Sequence, residues 1–210
     1  MGRLTPIIAV SVLLAACQNA APPVVSPLPT TTPHTAPEVA ILQPGDVPTG
    51  LTVCLGSGPI DVYVTALALS DAVLASRATT QWELLRAAGA QHGAISVFAT
   101  NPSACTAELG ATSSVKAATG FVAQFADPGQ ADRAWESGVF GFTPPAPGEL
   151  QPGLVRGTDT GLGLSSWTLD HTPVRLACWH RSVFVALVVL SNLDVTAFKT
   201  ATSAVDARLN

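Results

Sequence analysis

The run Val183-Phe184-Val185-Ala186-Leu187-Val188-Val189-Leu190 consists entirely of apolar residues, and it decides the fold of the chain. A short apolar run that follows a turn signal at Arg181-Ser182 is typical of a buried β-strand. Successive side chains of a strand point to opposite faces of the sheet, so both faces of this strand are apolar. We therefore predict a central strand that is covered on both sides, or one with a packed helix on one side and a partly apolar open face on the other.

Strands and a helix flank this run. Residues 164–169 and 174–180 each predict a strand, and the second is expected to form a hairpin with the central run. Ser191 and Asp194 are placed to cap a following helix. The residues expected to face inward from that helix are Val195, Phe198, Val205 and Leu209. Hairpin-paired strands closed by a C-terminal helix predict a single α+β domain with a mostly antiparallel sheet packed by helices.

The first half of the domain is expected to contribute two helices. Pro59 is placed to open the first of them. The residues on the apolar face of this helix are Ile60, Tyr63, Val64 and Leu67. Thr80 and Glu83 have the spacing of a capping box, so they predict the start of a second helix that ends at Gly89. Residues 70–79 fit either a continuous helix or a break.

Two further strands and a third helix are predicted in the middle of the chain. Residues 94–99 and 120–125 have the apolar and aromatic content of strands. Asp127 and Pro128 are typical of a helix start, because the carboxylate can cap the first turn and proline fits its geometry. Residues 138–153 contain four prolines and four glycines without a period, and so predict a long surface loop.

The composition favours one globular domain and argues against nucleic-acid binding. Hydrophobic residues make up 48% of the 210 residues and charged residues 11%, with a formal net charge of −4. Residues 39–210 are about 170 residues, which suits a single core. The only lysines are Lys116 and Lys199. No face rich enough in cations to neutralise phosphates is expected, which excludes nucleic acid as a partner.

The N-terminal residues have the pattern of an export signal. Leu14-Ala15-Ala16-Cys17 closes an apolar run that begins at Pro6 behind Arg3, and this run is too short to span a bilayer. The tetrapeptide resembles the lipobox of bacterial lipoproteins, in which a cysteine thiol accepts a diacylglyceryl group. The resemblance implies a signal peptide at 1–16 and a lipidated Cys17 that anchors the protein to the extracytoplasmic face of the cell membrane. The alternative is an ordinary secretory signal with Cys17 present by chance.

A linker is predicted between the anchor and the domain. Residues 17–38 are rich in proline and threonine, a composition that favours a semi-rigid spacer ahead of a domain at 39–210. Within the domain, a strand leads to the helix at Asp127-Pro128, and a hairpin leads to a capped C-terminal helix. This order loosely resembles small lipoprotein and sensor-kinase ectodomains of Gram-positive bacteria, including the photosystem-PsbP-like group. The resemblance bears on the fold alone.

Three cysteines remain after Cys17 is assigned to lipid, namely Cys54, Cys105 and Cys178. An oxidising exported compartment predicts one disulfide, and three pairings are possible. We favour Cys54 with Cys105, because both lie in loop-rich stretches where a bridge would join the N-terminal helices to the sheet. Cys178 alternates with apolar residues and is expected to be a buried, inert thiol. A reactive thiol beside His180 is the alternative.

The sequence offers little that indicates catalysis. It contains neither Gly-x-Ser-x-Gly nor His-Glu-x-x-His, and His92, His171 and His180 lack the spacing of metal ligands. Asp170 beside His171 falls at a strand end, where turn formation explains the pair. We therefore expect no enzyme, no metal site and no cofactor.

Two classes of function follow from these features. The first is a non-catalytic ligand-binding or sensor domain with a cleft between sheet and helices, to which aromatic side chains would contribute. The candidate residues are Phe140, Phe142, Trp167 and Trp179. The competing interpretation is that these aromatic rings pack within the domain. The second class is a structural or assembly partner of another cell-envelope protein, docked through an exposed face.

Overall fold

The computed structural model describes residues 35–112, 114–149 and 151–209, all of which belong to one compact unit. The predicted signal peptide and Cys17 lie outside the described residues. The first described helix, α1 (Pro37–Ala40), begins before Val39, the predicted first residue of the domain. An N-terminal proline at its first turn starts this short helix, as proline commonly does.

Eight strands in the described part of the chain form one antiparallel sheet. They are β1 (Thr52–Val53), β2 (Gly58–Pro59), β3 (Ala90–Ala99), β4 (Ala117–Phe125), β5 (Leu154–Arg156), β6 (Ser166–His171), β7 (Val174–Arg181) and β8 (Phe184–Ser191). The order across the sheet is β1-β3-β4-β8-β7-β6-β5, and β2 also pairs with β3. The predicted α+β class and antiparallel sheet are confirmed.

Helices cover both faces of this sheet. The longer helices are α2 (Ile60–Ala68), α3 (Ala72–Ala87), α4 (Pro128–Ser137) and α5 (Val195–Arg208). Helices α2, α3 and α4 pack on one face, while α1 and α5 pack on the other. The sheet is therefore the middle of three layers. The predicted C-terminal helix is confirmed as α5.

The apolar run that predicted the central strand forms β8, between β4 and β7. Val185, Leu187 and Val189 belong to the core beneath α2, α3 and α4. The intervening residues Ala186 and Val188 belong to the core beneath α1 and α5. Of the two predicted environments, the strand has the one in which both faces are covered.

Helix starts follow the predictions where an aspartate is the cap. Asp127 accepts a hydrogen bond from Gln130 N at 2.9 Å, and Asp194 accepts one from Ala197 N at 2.8 Å. The prediction that α3 starts at Thr80 is wrong. Asp71 caps α3 by accepting from Leu74 N, so residues 69–71 break the two helices and Thr80 lies inside α3. There the Thr80 hydroxyl donates to Ser76 O, which satisfies it without a cap.

Two details of the last helix also differ from the prediction. Ser191 ends β8 and its hydroxyl accepts a hydrogen bond from Thr112 N, so it does not cap α5. Val195 is 41% exposed, whereas Phe198, Val205 and Leu209 are buried as predicted. Val195 is the first residue of α5, at the end of the helix, and its side chain is less covered there than that of Phe198.

The first residues of the predicted loop at 138–153 pack against the domain, while residues 146–149 and 151–153 are exposed, as predicted for a surface loop. Val139 is fully buried, and it forms an isolated bridge with Phe142. The short strand β5 follows this loop directly and was not predicted from the sequence. Three residues are too few to show a period, so only their pairing with β6 identifies them as a strand.

Candidate functional site

The two tryptophans predicted to bind ligand are core residues on opposite faces of the sheet. Trp179 is 0% exposed and packs with the residues beneath α1 and α5. Trp167 is buried in the other core, beneath α4. Because the sheet separates their rings, they cannot line one cleft, and we correct their assignment from ligand contacts to core packing.

The two candidate phenylalanines also pack inward. The rings of Phe140 and Phe121 meet edge to face, with centroids 4.7 Å apart. Phe142 is partly buried against the same core. The competing interpretation, that these rings pack back on the domain, therefore describes both of them. The four predicted ligand residues are not brought together.

A different surface forms an apolar hollow beside the disulfide. Cys54 and Cys105 are bridged, with 5.6 Å between their Cα atoms, which confirms the predicted pairing. The hollow next to them has a volume of about 450 Å³. We call it the disulfide groove, and its lining residues are Thr52, Val53, Cys54, Leu55, Tyr63, Ala66, Leu67, Leu69, Ser70, Pro102, Cys105 and Thr106. A volume of this size lies within the usual range of ligand sites.

The groove lies where the edge of the sheet meets α2. Its floor comes from the buried residues Tyr63 and Leu67 of α2, and its far wall from the single turn at Pro102–Thr106. The disulfide joins that turn to the end of β1. Asn101 accepts a hydrogen bond from Ser103 N at 3.0 Å and so fixes the start of the turn.

A glycine allows the near wall to approach α2. Gly56 has φ +85°, and a Cβ at this position would lie 2.4 Å from the Cβ of Ala66. Only glycine combines this backbone conformation with such close contact. Ser57 then returns the chain to the sheet, where its hydroxyl accepts from Val97 N at 3.1 Å.

Two large apolar side chains that line the groove are exposed. Leu55, shortly after β1, is 87% exposed, and Leu69, directly after α2, is 86% exposed. Val53 is 57% exposed, but it pairs with Phe98, so its side chain lies on the other face of the sheet. No lining residue carries a formal charge, and the polar groups are hydroxyls and backbone amides. Two nearly bare leucines facing an uncharged hollow are suited to contact with an apolar ligand.

The chemistry available in the groove is binding. Burial raises the pKa of Tyr63 to about 12, so its phenol stays neutral at physiological pH. The cysteines that line the groove are joined in the disulfide. The lining therefore presents no carboxylate, imidazole or free thiol that could act as a general base or nucleophile.

A serine, an aspartate and a histidine meet elsewhere in the fold, a cluster that the sequence reading missed. Asp132 Oδ1 lies 3.5 Å from both His180 Nδ1 and Ser165 Oγ. His180 Nε2 lies 2.6 Å from the carbonyl oxygen of Ser182. A catalytic triad places histidine between serine and carboxylate, and here the carboxylate is in the middle. The arrangement joins α4 to β7, to the turn after β7 and to the residue before β6, and it does not activate the serine.

The third cysteine of the domain is the predicted buried thiol. Cys178 is fully buried on β7, and burial raises the pKa of its thiol. The indole of Trp135 donates to the Cys178 carbonyl oxygen at 3.4 Å. The thiolate form is strongly disfavoured there, which rules out the alternative of a reactive thiol next to His180.

The remaining hollows and polar groups give weaker sites. Two hollows of about 290 Å³ lie beside Asp194 and beside Leu84. Asp46 lines the first of them, but its carboxylate is paired with Arg208. Across residues 35–112, 114–149 and 151–209, no cluster of three or more potential metal ligands occurs. In the same residues, no helix has the length and apolar character needed to cross a membrane.

No protein-family model, curated protein or solved structure matches this chain.

Proposed function

We propose that this protein is a membrane-anchored extracytoplasmic domain that binds an apolar ligand in the disulfide groove without transforming it. The observation that carries the proposal is the pair of exposed leucines, Leu55 and Leu69, that line one uncharged hollow. Exposed aliphatic side chains that face the same hollow lose contact with water together when a ligand enters. This contribution would be favourable for any ligand with an apolar surface of matching size.

The proposed location is supported by two features of the chain. Leu14-Ala15-Ala16-Cys17 resembles a lipobox, and lipidation there would tether the domain outside the cell. The Cys54–Cys105 disulfide is consistent with an oxidising compartment, since disulfides are rare in reducing ones. The proline-rich residues after Cys17 would act as a spacer that holds the groove away from the lipid headgroups.

A second candidate function is a structural partner that docks another cell-envelope protein. The same exposed leucines favour it, and so does the burial of all four tryptophans, Trp82, Trp135, Trp167 and Trp179. Because these rings lie in the core, they do not form an aromatic cleft on which a glycan or metabolite could stack. The two candidates differ in whether the groove accepts small apolar molecules by itself.

Replacing both exposed leucines with serine should abolish most ligand binding and leave the fold intact. We expect Leu55→Ser with Leu69→Ser to weaken binding of Nile red, an uncharged apolar dye, by about tenfold or more, because two aliphatic contacts are lost. The measurement is dye fluorescence titrated with fragment 32–210, which is the compact unit of the chain.

The matched control is Leu164→Ser, which changes a leucine that is 80% exposed outside the groove. It should bind the dye as tightly as the unchanged fragment, and all variants should unfold at the same urea concentration. Equal dye binding by the double variant and the control would reject the groove as the ligand site.

Removing the thiol at position 17 should release the protein from membranes. We expect Cys17→Ser to move the full-length chain from the membrane fraction to the soluble extracytoplasmic fraction, because the acyl chains that hold it have no attachment point. Fractionation with immunoblotting measures the shift, and mass spectrometry of the unchanged protein should find diacylglyceryl on Cys17. An unmodified Cys17 in the mature protein would contradict the anchor.

A further inference from the structure

The backbone of Val53 points away from the sheet. Thr52 pairs with Ala99, and Cys54 N donates to Val97 O at 2.7 Å, so both flanking residues direct hydrogen-bonding groups towards β3. In an antiparallel ladder the residue between them directs its N–H and C=O to the opposite side. No other strand of the described residues lies on that side of β1. Val53 therefore offers one donor and one acceptor at an open edge.

This edge lacks the protection that the other edge of the sheet has. At the far edge, Arg156 of β5 places its guanidinium over the Trp135 ring, and it also donates to Pro145 O. A charged residue on an edge strand discourages the addition of another strand. At β1, Thr52 and Val53 are both exposed and neither is charged, and the exposed aliphatic side chain of Leu55 follows two residues after the strand. An open, apolar and uncharged edge is the kind that accepts another strand.

The open edge adjoins the disulfide groove. Thr52, Val53 and Cys54 line the groove from the sheet side, while Leu69 and Ser70 line it from the turn that follows α2. A strand added outside β1 would direct every second side chain to the α2 side of the sheet, towards the groove. Because the lining is uncharged, apolar side chains would match it and charged ones would lose solvation without a partner.

We propose that the ligand of the disulfide groove is an extended, uncharged apolar segment of another polypeptide, which adds to β1 as a new edge strand. The N–H and C=O of Val53 would bond to its backbone, and alternate apolar side chains would enter the groove between Leu55 and Leu69. This inference rests on the proposed function, because it names the ligand class of the same groove. Main-chain bonds would set its register, and the groove would select its side chains.

The decisive variant is Val53→Pro. Proline removes the outward N–H and fills its place with a ring carbon, yet the inward bonds of Thr52 and Cys54 are kept. Proline is tolerated on an edge strand where the missing N–H faces solvent. The paired variant Val53→Ala trims the side chain and keeps the N–H, so the difference between the two reports the backbone contact.

The probe is a peptide selected by fragment 32–210 from a phage-displayed library of random ten-residue peptides and then synthesised. We expect the selected sequence to alternate apolar residues, and the Val53→Pro fragment to bind it about tenfold or more weakly than the Val53→Ala fragment. Nile red should bind these two fragments equally, because the dye does not use the backbone. Fluorescence anisotropy measures the peptide and dye emission measures the dye.

Several results would overturn strand addition. One is a library that yields no peptide, and a second is a peptide that binds the proline and alanine variants equally. A third is that neutral phosphatidylcholine vesicles bind both variants while no peptide binds. A fragment that dimerises through this edge in sedimentation, with the dimer lost in Val53→Pro, would assign the edge to a second copy instead.

If dye binding depends on Leu55 and Leu69 but peptide binding does not depend on the Val53 N–H, strand addition fails and the proposed groove stands. If the serine substitutions at Leu55 and Leu69 leave dye binding unchanged, the proposed function itself fails.

Discussion

Replacing Trp179 with alanine is expected to lower the free energy of unfolding by about 3–5 kcal/mol, the usual loss for truncating a fully buried tryptophan. Trp179 is the largest of the fully buried side chains, and it fills the core between the sheet and the helices α1 and α5. Since small domains have total stabilities of roughly 5–15 kcal/mol, this variant should unfold at a much lower urea concentration. Circular dichroism of fragment 32–210 during urea titration measures the change.

The matched control for that variant is Trp179→Phe. Trp179 Nε1 is buried and has no hydrogen-bond partner among the described residues. Phenylalanine removes this unsatisfied group and keeps most of the apolar volume, so we expect a loss of about 1 kcal/mol. In the absence of urea, Trp179→Ala should bind Nile red normally as long as it is folded, because the disulfide groove lies on the other side of the sheet. Normal stability combined with lost dye binding would instead restore Trp179 as a ligand residue.

Removing the disulfide is expected to cost about 4 kcal/mol of stability in the chain-entropy model, for a loop of about 50 residues. The bridge joins residues separated by 51 positions, and it connects the end of β1 to the turn at Pro102–Thr106. We expect Cys54→Ser with Cys105→Ser to lower the urea midpoint accordingly. The double variant should also weaken Nile red binding, because the two walls of the groove are no longer joined.

Reduction of the unchanged fragment provides the control for this variant. The reduced fragment and the double serine variant should unfold at the same urea concentration, since both lack the same bond. Cys178 is buried and unpaired, so reduction should have no second target in the domain. A difference of less than 1 kcal/mol between the oxidised and reduced fragments would contradict the expected role of the bridge.

The sequence predicted the disulfide pairing but did not predict the disulfide groove. The Cys54–Cys105 pairing was predicted because each cysteine sits among turn-forming residues, and turns bring distant parts of a chain to the same edge. The groove beside the bridge was not predicted. Leu55 and Leu69 are apolar, and apolar residues in a sequence are expected in the core. That both line one hollow is known only from the fold, which brings the chain after β1 close to α2.

The errors at the helix starts have a related cause. Asp127 and Asp194 were identified correctly because a carboxylate before a helix has one strong local role. Thr80 has capping-box spacing, but Asp71 is the better cap and comes earlier in the chain. Once α3 has started at Ala72, Thr80 is one more residue of a continuing helix. A local pattern cannot show which of two possible starts the packing of the helix selects.

By itself, the sequence determined the architecture of this protein. Eight consecutive apolar residues indicate a buried central strand, and the pattern of the neighbouring segments predicts the strands and helices that pack with it. Only the tertiary structure decided which apolar side chains stay outside. Trp167 and Trp179 fill cores that the sheet separates, while Leu55, shortly after β1, and Leu69, directly after α2, stay exposed. Hydrophobicity is a property of a residue, but exposure depends on what the rest of the chain places next to it, and that is known only from the fold.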